Sequence, residues 1–118
     1  MIKIQFRLNY EAKQKEKLED FLNKYKLDIG YTLQALKIER YWKIEEQFQA
    51  EFFIEMELIE PEEIIFETLV IANKLSASWL VNGPNENGTP YFECIFNNAN
   101  ENKPLKWANL EITEFTKS

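Results

Sequence analysis

The stretch LKIERYWKIEEQFQAEFFIEMEL, residues 36–58, decides the fold of this chain. Apolar side chains alternate with polar ones on both sides of residues 45–47, a pattern typical of two half-buried β-strands joined by a turn. A three-residue turn brings the two apolar faces together and sets Lys37 opposite Glu55, whereas a two-residue turn sets each apolar face against a polar one. The pairs predicted for this antiparallel hairpin are Ile44 with Phe48, Trp42 with Ala50, Ile38 with Ile54, and Leu36 with Met56.

The segments around this hairpin predict the remaining elements. Alternation predicts a strand over residues 2–9, and helical spacing of apolar side chains predicts an amphipathic helix over 11–27, ended by Gly30. Pro61 suits the first position of a second helix, whose early glutamates lie near its positive end. Three short strands are expected at about 77–82, 89–97 and 105–114, with turn-rich loops at 83–88 and 98–104.

The predicted order βαββαβββ defines the fold class. Its first six elements follow the split βαβ order, and right-handed crossovers place both helices on one side of the sheet. We expect a single α+β domain over residues 1–118, a two-layer sandwich with an antiparallel sheet of about six strands and two helices on one face. This is a ferredoxin-like βαββαβ arrangement with a C-terminal hairpin extension. The second sheet face has no helix to cover it.

Composition excludes several classes of function. The 118 residues contain no histidine and one cysteine, so the usual proton shuttle, the commonest zinc ligand and an internal disulfide are all missing. We expect no cofactor, no metal and no enzymatic activity. Charged residues interrupt the N-terminal segment, unlike a signal peptide, and no run reaches the roughly 18 apolar residues of a membrane span. A cytoplasmic protein with no membrane partner is the expectation.

Charge is distributed unevenly along the chain. Residues 1–44 hold ten basic and six acidic side chains and carry +4, so the remainder carries -10 of the total of -6. Nine glutamates lie between Glu45 and Glu67 with no Lys or Arg among them. Such a block is expected to create a negative potential over one end of the molecule, which attracts a basic partner and repels nucleic acid. A Glu-rich solvated surface is the simpler alternative.

The uncovered sheet face is the predicted interaction surface. It combines aromatic side chains with carboxylates, a mixture found in protein interfaces. A homodimer contact or plain solvated surface are the alternatives. The residues predicted to bind a partner are Tyr41, Glu51, Phe53, Glu55, Glu57, Tyr91, Ile95 and Trp107.

Two residues on the predicted apolar faces carry polar or reactive groups. Arg40 lies between Ile38 and Trp42. It either extends to the sheet edge or stacks on Trp42, and the functional alternative is that Arg40 and Trp42 line a ligand pocket that binds a carboxylate. Cys94 is expected to be a buried structural thiol, because no histidine is present to act as its base.

The C-terminal third carries a family resemblance. The stretch Trp79–Pro84, the strand Phe92–Phe96 and the ending Leu105–Ile112 resemble the C-terminal strands of small bacterial immunity proteins that are paired with polymorphic or contact-dependent toxins. The resemblance implies a cytoplasmic antidote that binds one cognate toxin domain and blocks its active site or a nearby surface. The alternative is a ferredoxin-like homodimer that binds a small molecule, or a small enzyme, with Arg40, Tyr41 and Trp42 lining the pocket.

Overall fold

A computed structural model of the chain describes residues 1–84, 90–97 and 103–115. The predicted loops at 83–88 and 98–104, and the start of the strand predicted at 89–97, lie partly outside these described residues. The elements in chain order are β1 (Ile2–Glu11), α1 (Lys15–Ile29), β2 (Gln34–Arg40), β3 (Gln47–Met56), α2 (Pro61–Leu75), β4 (Leu80–Asn82), β5 (Glu93–Asn97) and β6 (Leu105–Phe115).

The strands form one six-stranded antiparallel sheet, which confirms the predicted α+β class. The strand order is β2-β3-β1-β6-β5-β4. Strand β1 therefore lies between β3 and β6, and β6 is the last strand in the chain. In the ferredoxin order, the strand that follows α2 takes the position that β6 has here. The connection through α2 instead passes over β1, β6 and β5 to reach the far edge of the sheet.

The core lies between one sheet face and the two helices. Alternate residues of β1, from Ile2 to Leu8, are fully buried, and the ring of Phe6 stacks on that of Phe52 at 4.6 Å between centroids. Both helices add side chains to the same buried cluster, which places them together on this face. The two helices are also joined directly, since the Tyr25 hydroxyl donates to the Ile71 carbonyl oxygen at 2.8 Å.

Helix α1 begins four residues later than predicted, because β1 continues through Glu11 before the chain turns. Its end agrees with the prediction. Gly30 adopts a left-handed conformation with φ 74°, and its N–H donates to the carbonyl oxygen of Lys26 at 3.0 Å. The second helix begins at Pro61, as expected from the fixed φ of proline.

The hairpin at the centre of the chain has a different register from the predicted one. Ile38 pairs with Ala50 and Arg40 with Phe48, so the two strands are shifted by four residues. Residues 41–46 form a connecting loop in place of a three-residue turn. A shift of four preserves the faces, because side chains alternate with a period of two. Lys37 therefore still lies opposite a glutamate, which is Glu51.

The C-terminal strands are also displaced from their predicted pairing. The expected register set Trp79 beside Phe92 and Leu110, and Ala77 beside Cys94 and Ala108. In the structure Val81 pairs with Cys94, and Cys94 with Leu110. Strand β4 starts only at Leu80. The indole N–H of the preceding Trp79 donates to the carbonyl oxygens of Ala72 and Ser76 at the C-terminal end of α2.

Candidate partner-binding surface

The sheet face opposite the helices carries most of the predicted contact residues. Cross-strand pairing places Glu51, Phe53 and Glu55 of β3 in register with Arg7, Gln5 and Lys3 of β1 on this face. Ile95 of β5 pairs with Asn109 of β6, and Trp107 pairs with Asn9. These positions follow from strand alternation, which survives the errors in register.

Three other predicted contact residues lie outside the strands. Tyr41 follows the end of β2 and donates its N–H to the Gln47 carbonyl oxygen at 2.8 Å. Glu57 follows the end of β3, and Tyr91 precedes β5. Their assignment to the sheet face assumed strands that are longer than those observed.

In one half of the face, most charged side chains are paired with a side chain of opposite charge. This neutralised half consists of the outward side chains of β1, β2 and β3. The Arg7 Nε lies 3.2 Å from Glu51 Oε1, and Lys37 Nζ lies 3.2 Å from Glu39 Oε1. Lys3, directly opposite Glu55, places its Nζ 4.0 Å above the Phe53 ring and reaches Glu114 of β6. A partner that displaced these contacts would have to replace each of them.

The other half of the face carries carboxylates that no Lys or Arg among the described residues pairs with. This acidic half consists of the outward side chains of β4 and β5 with Asn109 and Glu111 of β6. Glu93 and Glu111 lie directly opposite each other across neighbouring strands, and like charges in that position repel. Within the described residues, the contacts of Glu93 are with amides: Asn109 Nδ2 donates to Oε2 at 3.0 Å and Asn82 Nδ2 to Oε1 at 3.4 Å.

Exposed apolar side chains lie within and beside the acidic half. Leu80, opposite Ile95, is 62% exposed, and Tyr91 is 45% exposed. A shallow depression of about 310 Å³ lies at this end of the sheet. Its lining residues are Asn82, Tyr91, Phe92, Glu93, Glu111 and Ile112. The arrangement offers two carboxylates beside accessible apolar surface, which suits a cationic side chain with an apolar stem.

The glutamates between Glu45 and Glu67 are not gathered at one end, which corrects the expectation of a single negative pole. Glu45 and Glu46 lie in the loop before β3, and Glu57 lies just after it. The ten-residue strand between them spans about 33 Å at the usual rise per residue. Glu51, on the sheet face, is already paired with Arg7.

Among the described residues, Arg40 and Trp42, the two residues of the predicted ligand pocket, have separate surroundings. The guanidinium of Arg40 lies 4.7 Å from the centroid of the Phe48 ring, and its Nη1 donates to the Glu45 carbonyl oxygen at 2.6 Å. Trp42 is 82% exposed in the loop. The register shift explains the difference, because it pairs Arg40 with Phe48 and removes Trp42 from the strand. Arg40 therefore holds the loop closed.

The lone thiol is structural. Cys94 is fully buried, and burial together with the charge of Glu93 raises the pKa of Cys94 to about 11. A thiol that stays protonated at neutral pH is a poor nucleophile.

Two further classes of site receive no support from the described part of the chain. No group of three or more Cys, Asp or Glu side chains there is arranged to hold a metal ion. No helix among the same residues is long and apolar enough to cross a membrane. Comparison with protein-family models, with curated proteins and with solved structures finds no match to this chain.

Sequence reasoning missed Glu93 and Glu111 as candidate contact residues. Both have the same parity as Ile95 and Trp107, which were assigned to the open face. Strand alternation alone therefore indicates that both glutamates lie on the open face. The predicted register paired Cys94 with Ala108 instead of Leu110, so the two glutamates were not brought opposite each other.

Proposed function

We propose that this chain is a non-enzymatic cytoplasmic antidote, an immunity protein that binds and neutralises a cognate basic toxin domain. The acidic half of the sheet face is the docking surface in this proposal. Basic surfaces that hold phosphate are typical of nucleases, and a carboxylate surface competes for the same cations. The family resemblance of the last third of the sequence points to the same class of protein.

The observation that carries the proposal is the opposition of Glu93 and Glu111 next to exposed apolar side chains. Placing two like charges opposite each other weakens a sheet, and the two amides that contact Glu93 compensate only in part. A Lys or Arg side chain from a partner would remove the repulsion and form charge-assisted hydrogen bonds. Its stem would cover Leu80 and Tyr91, which would exclude water from the contact.

Co-expression tests the proposal. If an adjacent reading frame encodes a basic toxin domain, the chain is produced together with that domain, and growth and complex formation are measured. We expect rescue of growth and a stable complex that copurifies. Rescue should weaken strongly in the double variant Glu93→Lys with Glu111→Lys.

The matched control reverses the same number of charges in the neutralised half, with Glu39→Lys and Glu51→Lys, because both of these carboxylates are held in ion pairs. This variant should retain most of the rescue. Circular dichroism and thermal unfolding of both variants establish that each is folded. Absence of both a complex and rescue by the unmodified chain would reject the antidote function for that pair.

A further inference from the structure

A second apolar surface lies on the helix layer, away from the sheet face. Phe66 of α2 is 68% exposed, and the neighbouring Ile59 is 47% exposed. Leu58 is half-buried beneath them and packs against the core. A depression of about 390 Å³ lies here, which we call the Phe66 groove, and it is lined by Leu58, Glu62, Glu63, Phe66 and Glu67.

The position of Phe66 on α2 explains why the core does not use it. The buried side of this helix is formed by Ile64, Thr68, Ile71, Ala72 and Leu75. Phe66 lies between the first two of these in sequence and therefore points to the outer side of the helix. Glu62 and Glu63 precede it by four and three residues, so they lie on the same outer side. A large aromatic ring placed among carboxylates does not stabilise the fold, but it is a typical anchor in an interface.

The charges around the groove determine the chemistry of its occupant. Residues 57–67 contain five glutamates and no Lys or Arg. Within the described residues, the ion pairs of the protein involve none of these glutamates. The charge of Glu67 also contributes, after burial, to the raised pKa of Tyr31. This surface attracts cations and repels acidic peptides, phosphates and anionic lipid headgroups.

We propose that the Phe66 groove binds a Lys- or Arg-rich segment of a partner protein that carries one aromatic or aliphatic anchor residue. The anchor packs on Phe66 and Leu58, and the flanking cations lie against Glu62, Glu63 and Glu67. The groove is built from the helix layer and the sheet face lies on the opposite side of the sheet. This binding is therefore independent of the antidote function proposed above.

Fluorescence anisotropy tests the inference with a defined probe. The probe is a fluorescein-labelled peptide of lysines around a central Trp-Leu pair, and a second peptide replaces that pair by glycines. We expect the Trp-Leu peptide to bind at least about ten-fold more tightly than the glycine peptide. Phe66→Ala should abolish that difference. Raising the salt concentration should weaken both peptides.

Matched variants separate the groove from the overall acidity of the protein. Leu27→Ala removes an apolar side chain that is 79% exposed on α1, and it should leave peptide binding unchanged. Glu62→Gln with Glu63→Gln should weaken the Trp-Leu peptide about ten-fold. Glu16→Gln with Glu19→Gln makes the same change in net charge on α1 and should weaken it less than about two-fold.

Three outcomes overturn the inference. The first is equal affinity for the two peptides, and the second is an equal effect of the α1 and α2 charge variants. The third is sedimentation as a dimer that becomes monomeric in Phe66→Ala, because a second copy of the chain would then occupy the groove. Failure of toxin rescue has no bearing on these results, so the two proposals can fail separately.

Discussion

The two halves of the open sheet face are both built from antiparallel strands, but one half is largely neutralised and the other is negative. In the neutralised half, Arg7, Lys3 and Lys37 each lie beside a carboxylate. In the acidic half, Glu93 and Glu111 face each other, and the contacts of Glu93 among the described residues are with two amides. A count of glutamates therefore does not locate a binding surface. What matters is which carboxylates are already paired.

The largest predicted change in the free energy of unfolding distinguishes the buried side of β3 from its exposed side. Phe52→Ala removes a buried ring that stacks on Phe6, and it should lower the free energy of unfolding by about 3–5 kcal/mol. Phe53→Ala, one residue along on the open face, loses mainly the contact with Lys3 and should cost about 0.5–1 kcal/mol. Urea denaturation of both variants gives the comparison. Similar losses would show that the assignment of the two faces is wrong.

The next effect concerns pH and the thiol beneath the acidic half. The Cys94 pKa is raised to about 11 in the folded protein from an ordinary value near 9. As the pH rises above about 9, the unfolded thiol loses its proton while the folded one keeps it, so the free energy of unfolding should fall by about 1–2 kcal/mol by pH 11.

The variant Cys94→Ala shows how much the thiol contributes to the pH dependence of the free energy of unfolding. Burial also raises the pKa of Tyr25, which acts in the same direction at high pH in both proteins. The difference between the two stability curves should therefore appear between about pH 9 and 11. Parallel curves over this range would show that the thiol is not buried as described.

The smallest predicted change in the free energy of unfolding should have opposite signs in the two halves of the sheet face. Glu51→Gln breaks the contact with Arg7 and should lower the free energy of unfolding by about 0.2–1 kcal/mol. Glu111→Gln removes the repulsion with Glu93 and should raise the free energy of unfolding by a similar amount, about 0.2–1 kcal/mol. High salt should reduce both effects. Destabilisation by both substitutions would contradict the division of the face into halves.

The strand faces could be predicted from the sequence, but the registers could not. Apolar and polar side chains alternate from Ile2 to Leu8, which predicts that one side of β1 is buried. The core contains the apolar side, as predicted. A hairpin shifted by four residues keeps the same alternation, so the pattern did not distinguish Trp42 from Ile38 as the partner of Ala50. The preference comes from contacts outside the pattern, in particular the stacking of Arg40 on Phe48.

The order of the strands in the sheet also could not be predicted from the pattern of apolar residues. Any C-terminal strand with an apolar face is a candidate partner for β1, and the ferredoxin order favours the first of them. Strand β6 has eleven residues, including the buried Leu110 and Ile112, whereas β4 has three exposed ones. The longer strand buries more apolar surface in the centre of the sheet. Its position beside β1 brings Glu111 next to Glu93 and so creates the acidic half.

The acidic half is tested most directly by an association rate constant, measured at low salt by stopped-flow or biolayer methods, with a basic toxin domain that the chain neutralises in the co-expression experiment. Two double variants lose the same charge: Glu93→Gln with Glu111→Gln in the acidic half, and Glu39→Gln with Glu51→Gln in the neutralised half. We predict that the first lowers the rate constant about ten-fold and the second by less than about two-fold. Equal rates for the two variants would contradict the claim that the acidic half is the docking surface.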